Sequence, residues 1–235
     1  MILGIVICFL PLIISILILT LTKKLRLTHQ LIAVLLGLVA VLPISFIQFF
    51  IPDLSGFFKS PILFSIIQSL ILYGLIEEVF KTLLILPLPH KNYSCLEFLL
   101  LSFVMGLALG CFESVVYFFD HFQKAVNKGA ELLFVPIFLR IFTSDVIHLT
   151  CTGLGGLFIW SCRGNAGGAG QLAVGARPKA RLSILITAIL LHGFYDFFAG
   201  FTSGIRWFSA AVILLAIVEC RIKYTALQNG ENTAV

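Results

Sequence analysis

The chain has 235 residues, 60% of them hydrophobic and 11% charged, with a mean hydropathy of +1.09. An ordinary soluble domain carries roughly 25% charged residues, so this composition excludes a soluble globular protein and points to one largely solvated by lipid. A formal net charge of +5 does not make it a nucleic-acid binder, because the basic residues sit in short segments between apolar runs and form no single basic face.

Apolar runs of about 20 residues, the length that crosses the roughly 30 Å hydrocarbon layer, fall at 2–22, 30–51, 62–86, 97–119, 141–161, 182–202 and 205–220. They predict an all-α, polytopic membrane helix bundle of about seven transmembrane helices. Residues 1–235 then form one membrane domain with its functional core at 62–202. The first run has no basic residue before it and no small-residue cleavage pattern after it, so it reads as a retained helix and not a signal peptide. The fifth could begin near Leu132, with Pro136 as a break or kink.

Orientation follows from the loops. Lys23, Lys24, Arg26, Lys91, Arg163, Arg177, Lys179, Arg181, Arg221 and Lys223 fall on one side, while Lys59, Lys124, Lys128, Arg140 and Arg206 fall on the other. The positive-inside rule places the N-terminus outside and the C-terminus in the cytoplasm. The longest cytoplasmic loop, 163–181, contains GNAGGAG and is expected to be flexible. It lacks the preceding strand and GKS/T ending of a phosphate-binding loop.

Several ionisable side chains interrupt the apolar runs. A charge at the bilayer centre costs about 2.5–3.5 kcal/mol even on insertion scales, so such residues are expected to gather in one protein-lined site. The third run holds Glu77, Glu78 and Lys81; helical spacing lets Lys81 neutralise one carboxylate while the other stays free. A net negative site of this kind suits a general base or a bound cation, whereas a structural ion pair would not need the second glutamate. The fourth run holds Glu113, with Tyr117 one turn away, and GLALG at 106–110, whose two glycines predict close helix packing. The fifth holds Ser144, Asp145 and His148; a lone membrane histidine suits either a metal or a helix–helix hydrogen bond.

In the sixth run His192 and Asp196 stand four apart on one helical face, where the carboxylate can orient the imidazole or join it on a metal. Two histidines with carboxylates from different helices suit Zn²⁺, and Glu78, Glu113, His148 and His192 are the predicted ligands. The cysteines, Cys8, Cys95, Cys111, Cys151, Cys162 and Cys220, form no CxxC pair and are assigned neither disulfide nor metal.

EExxK in one helix, Phe-Glu in the next, an isolated His and then HxxxD resemble the PrsW family of intramembrane proteases, from about Leu75 to Asp196. The resemblance implies that Glu77, Glu78, Lys81, Glu113, His148, His192 and Asp196 form the catalytic set. It also implies a metallopeptidase of the bacterial cytoplasmic membrane that cuts a single-pass membrane substrate, an anti-sigma factor. Related CAAX prenyl proteases bring in a second mechanism, a glutamate-activated water. HExxH, GxGD and GxSG, the marks of other intramembrane proteases, are absent, the nearest being Phe201-Thr-Ser203-Gly204.

Two other classes share these residues. A proton- or ion-coupled transporter would use them as a relay, but no internal repeat with matching broken helices is visible. A non-catalytic scaffold would keep them for packing, and it does not need both glutamates. Depth adds one expectation: at 1.5 Å per residue the paired glutamates lie about 5 Å to the cytoplasmic side of their span's midpoint and Glu113 about 7 Å to the outer side. The site should therefore sit near the midplane, with water reaching it through a cavity between helices.

Overall fold

The computed structural model of the protein describes residues 2–52, 55–89, 93–126, 134–163, 178–201 and 204–232. Their regular structure is all helical: α1 (Ile2–Leu21), α2 (Leu27–Phe50), α3 (Pro61–Gln68), a π-helical segment (Ser69–Ile76), α4 (Glu77–Ile85), α5 (Cys95–Val126), α6 (Phe134–Arg163), α7 (Pro178–Ala199) and α8 (Phe208–Asn232). Most of the expected 163–181 loop, including GNAGGAG, lies outside the described residues.

Helix starts follow local chemistry. Ser60 precedes Pro61 at the head of α3 and accepts the Leu63 amide N–H at 3.4 Å, with proline occupying a position whose N–H needs no partner. Ser94 and Glu97 form a capping box: Glu97 Oε2 accepts the Ser94 N–H at 2.7 Å and Ser94 Oγ accepts the Glu97 N–H at 3.3 Å. Pro136 falls in the first turn of α6, where it begins the helix and does not break it.

Among the described residues, six helical stretches are long and apolar enough to cross a membrane: Ile2–Leu21, Leu27–Phe50, Pro61–Ile85, Cys95–Asp120, Ile141–Cys162 and Arg181–Ala199. Helix α8 is longer than the predicted 205–220 run and carries Glu219, Arg221 and Lys223, which dilute its apolar character. Helices α5 and α6 are the most enclosed and pack on each other, with α2 and α1 against α5, and α7 and α8 against α6. Helix α1 is peripheral; residues such as Ile13, Leu17 and Ile18 face outward, which suits contact with acyl chains and not water.

The third span is one rod in three parts. Between α3 and α4 the backbone widens to π-helical turns over Ser69–Ile76 and returns to α at Glu77. π turns change the angular register of everything after them, and they recur at functional sites.

Candidate active site

Glycine contacts bring the charged residues together. A Cβ added to Gly74 would lie 2.5 Å from the Ile189 carbonyl oxygen, and one on Gly193 would lie 2.8 Å from Leu70 Cα. The π segment and α7 thus meet backbone to backbone, which sets the first turn of α4 beside His192. On the other side, Gly106 touches the His148 backbone and Thr152, while Gly110 touches Asp145. The GLALG packing face therefore seats α5 on α6 and brings Glu113 to His148.

Lys81 is buried, and its ammonium pairs with the fully buried Glu78 Oε1; Glu77 Oε2 lies 3.9 Å away. Glu78 also stands 2.8 Å from His192 Nδ1. On the far side of that ring, Nε2 lies 3.3 Å from Asp196 Oδ2 and 4.0 Å from Glu77 Oε2. Glu77 is held by a residue that the sequence did not single out: Gln48 on α2 donates from Nε2 to Glu77 Oε1 at 3.3 Å and to the Leu72 carbonyl at 3.0 Å. Its only signal was an amide inside an apolar run.

Lys81 Nζ also lies 3.2 Å from His148 Nδ1, and His148 Nε2 bonds to Glu113 Oε2. An ammonium can only donate, so Nδ1 is the acceptor and Nε2–H donates to Glu113. Ser144 adds a second donor to Glu113 Oε2 at 3.1 Å. Asp145 lies apart from this set, accepting from Ser114 at 3.1 Å and from Cys111 at 3.9 Å. All six cysteines are free thiols.

The donor set fits a metal once a ring nitrogen of His148 gives up its present partner, Lys81 at Nδ1 or Glu113 at Nε2. Among the described residues Glu77, His148 and His192 each offer a ligand atom, all within 4.8 Å of one another. His192 Nδ1 stands against Glu78 Oε1, and Nε2 lies beside the Asp196 and Glu77 oxygens, a cluster of carboxylates that a cation relieves. Of the predicted ligands, Glu78 is engaged by Lys81 and stands against His192, and Glu113 bonds to His148, while Glu77 is the carboxylate grouped with the two histidines.

A cavity of about 840 Å³ opens onto this centre. Glu77, Glu113 and Asp196 line it, along with Gln48, Tyr117 and Thr143, and its outer part reaches Arg206 and Trp207. Glu78 and Lys81 lie behind the wall, so the cavity presents the member of the glutamate pair that is farther from Lys81.

A bundle of apolar, membrane-length helices with carboxylates lining a cavity and imidazoles buried behind them is the framework of an intramembrane hydrolase. The chain belongs to the family described as PrsW family intramembrane metalloprotease, whose model it matches over residues 26–219. No curated protein and no solved structure matches it.

Proposed function

We propose that this protein is an endopeptidase that hydrolyses a peptide bond of a single-pass membrane protein, an anti-sigma factor of a bacterial cytoplasmic membrane, with Zn²⁺ held by Glu77, His148 and His192. The observation that carries the proposal is the convergence of those three residues beside a cavity lined by Glu77, Glu113 and Asp196. A bound Zn²⁺ supplies Lewis-acid polarisation of the scissile carbonyl.

The chain's own residues divide the remaining work. Glu78 takes the charge of Lys81 and stands against His192 Nδ1, leaving Glu77 as the glutamate of the pair that faces the cavity. Where Glu77 is not a metal ligand, it removes a proton from water as the water oxygen attacks the carbonyl carbon, and the proton passes to the leaving nitrogen as the C–N bond breaks. Glu113 holds His148, with Ser144 fixing the Glu113 carboxylate. Asp196 adds a further carboxylate beside His192 Nε2, at 3.3 Å, and lines the cavity.

One observation favours a second reading, in which Glu77 activates water without a metal. The Lys81–His148–Glu113 chain satisfies both nitrogens of His148 with protein partners alone.

The bundle is proposed to cross the bilayer seven times, with α8 as the last span, the N-terminus outside and the C-terminus in the cytoplasm. The cavity is lined by the C-terminal part of α2, the first half of the third span (Ser65, Gln68, Ser69 and Tyr73) and the segment joining α7 to α8. In this orientation those parts belong to the outer half of the membrane, so water and substrate arrive from outside.

The test is metal analysis of the purified protein combined with a cleavage assay on single-pass membrane proteins. About one Zn²⁺ per chain, with cleavage lost on chelation, supports the metal reading. Cleavage without metal favours the glutamate reading, and metal without cleavage returns the transporter.

A further inference from the structure

We propose that Gln48 is a positioning residue of the hydrolytic site, tying Glu77 Oε1 to the Leu72 carbonyl and so turning Oε2 toward the histidines; this rests on the protease reading above. A carboxylate on a helix can rotate, and at Glu77 the two oxygens have different surroundings. Oε1 accepts from Gln48 at 3.3 Å, while Oε2 lies 3.9 Å from Lys81 and 4.0 Å from His192.

The donor's chemistry fits the task. A primary amide carries two N–H bonds in a fixed plane, and here Nε2 serves two acceptors, Glu77 Oε1 and the Leu72 carbonyl at 3.0 Å. A cation in the same place would pair with Glu77 as Lys81 pairs with Glu78, neutralising the carboxylate beside the histidines. A neutral amide holds the oxygen without taking its charge.

The second acceptor belongs to the π-helical segment. Leu72 precedes Glu77 by five residues, within the turns that set the angular position of the glutamates. Gln48 therefore couples the side chain of Glu77 to the backbone that aims it. Gln48 also lines the cavity, so its bonds form part of the wall that substrate meets.

The test compares Gln48→Leu, which keeps similar bulk and removes the donors, with Gln48→His, which returns one N–H at a similar reach. Each is purified in detergent and assayed for kcat and KM on a transmembrane peptide, for Zn²⁺ affinity against a competing chelator, and for Tm. Outer partners of metal ligands typically contribute about 10–100-fold in affinity or activity. Gln48→Leu should lower kcat and weaken Zn²⁺ by that range with KM within about twofold, and Gln48→His should recover at least half of the loss on a logarithmic scale. Wild-type kcat and Zn²⁺ affinity in Gln48→Leu overturns the proposal. So does a kcat loss that tracks a fall in Tm and is not relieved by histidine.

A double-mutant cycle of Gln48→Leu with Glu77→Leu, read on Tm, measures the contact without turnover. Non-additive shifts support it and additive shifts overturn it. A parent protein that neither binds Zn²⁺ nor cleaves defeats the protease reading but leaves the outcome of this cycle standing, so the two failures are distinguishable.

Discussion

His148 on α6 and His192 on α7 meet edge to face, their ring centroids 4.8 Å apart and their planes inclined at 74°. Each ring is fixed on both sides: His148 by Lys81 and Glu113, His192 by Glu78 and Asp196. Two imidazoles pinned in this way keep their nitrogen lone pairs in one small volume, and Glu77 closes it.

The first prediction follows from that geometry. His148→Ala and His192→Ala should each lose Zn²⁺ and proteolysis together, because each removes one of three converging donors. Metal content by mass spectrometry and peptide cleavage on the same preparation check it. A variant that retains both at wild-type level would remove that histidine from the ligand set.

The adjacent glutamates should separate. Glu77 faces the cavity, so Glu77→Gln is expected to lower kcat by about 10²–10⁴-fold with little change in stability. Glu78 is fully buried against Lys81. Glu78→Gln leaves that ammonium with its closest counter-charge removed, a change that typically costs about 3–5 kcal/mol. Denaturant unfolding in detergent distinguishes the two, and equal stability of both variants contradicts the division of roles.

Topology is the third expectation. A reporter fused after Val235 should be active in the cytoplasm, and one inserted at Lys128 should report the outside, as the ten-to-five distribution of loop Lys and Arg requires. The opposite pair of results inverts the bundle and puts the Arg206 end of the cavity in the cytoplasm.

Much of the site was legible in the sequence because charge in an apolar run is expensive. Glu77, Glu78, Lys81, Glu113, His148, His192 and Asp196 announce themselves by that cost, and the i, i+3 and i, i+4 spacings anticipate the Lys81 and Asp196 contacts. Gln48 escaped notice because a neutral amide near the end of a run costs far less. The choice between Glu77 and Glu78 escaped for another reason. Neighbours on a helix point about 100° apart, and the register of α4 is reset by π turns that no period-3.6 reading detects. Helix α8 was bounded at residue 220 because Arg221 and Lys223 end the apolar run, but charged residues do not end a helix that has passed its apolar stretch.

The last prediction concerns the close approach of the π segment to α7. Gly193 separates His192 from the rest of its helix face, and a Cβ there would lie 2.8 Å from Leu70 Cα, a backbone atom that cannot rotate away. Gly193→Ala must therefore push the π segment and α7 apart, at a cost of about 1–3 kcal/mol for overpacking. The displacement falls between Glu78 and His192, whose 2.8 Å contact orients the ring. Misplacement by about 1 Å can cost about 10²-fold in rate, so turnover should fall more steeply than stability. Gly204→Ala serves as the control, because no atom lies within 4 Å of a Cβ added there. Measured side by side, Gly193→Ala should lose most of its kcat while still folding, and Gly204→Ala should behave as the parent. If Gly193→Ala instead retains full kcat and Tm, the backbone contact is not what sets His192 against the glutamates.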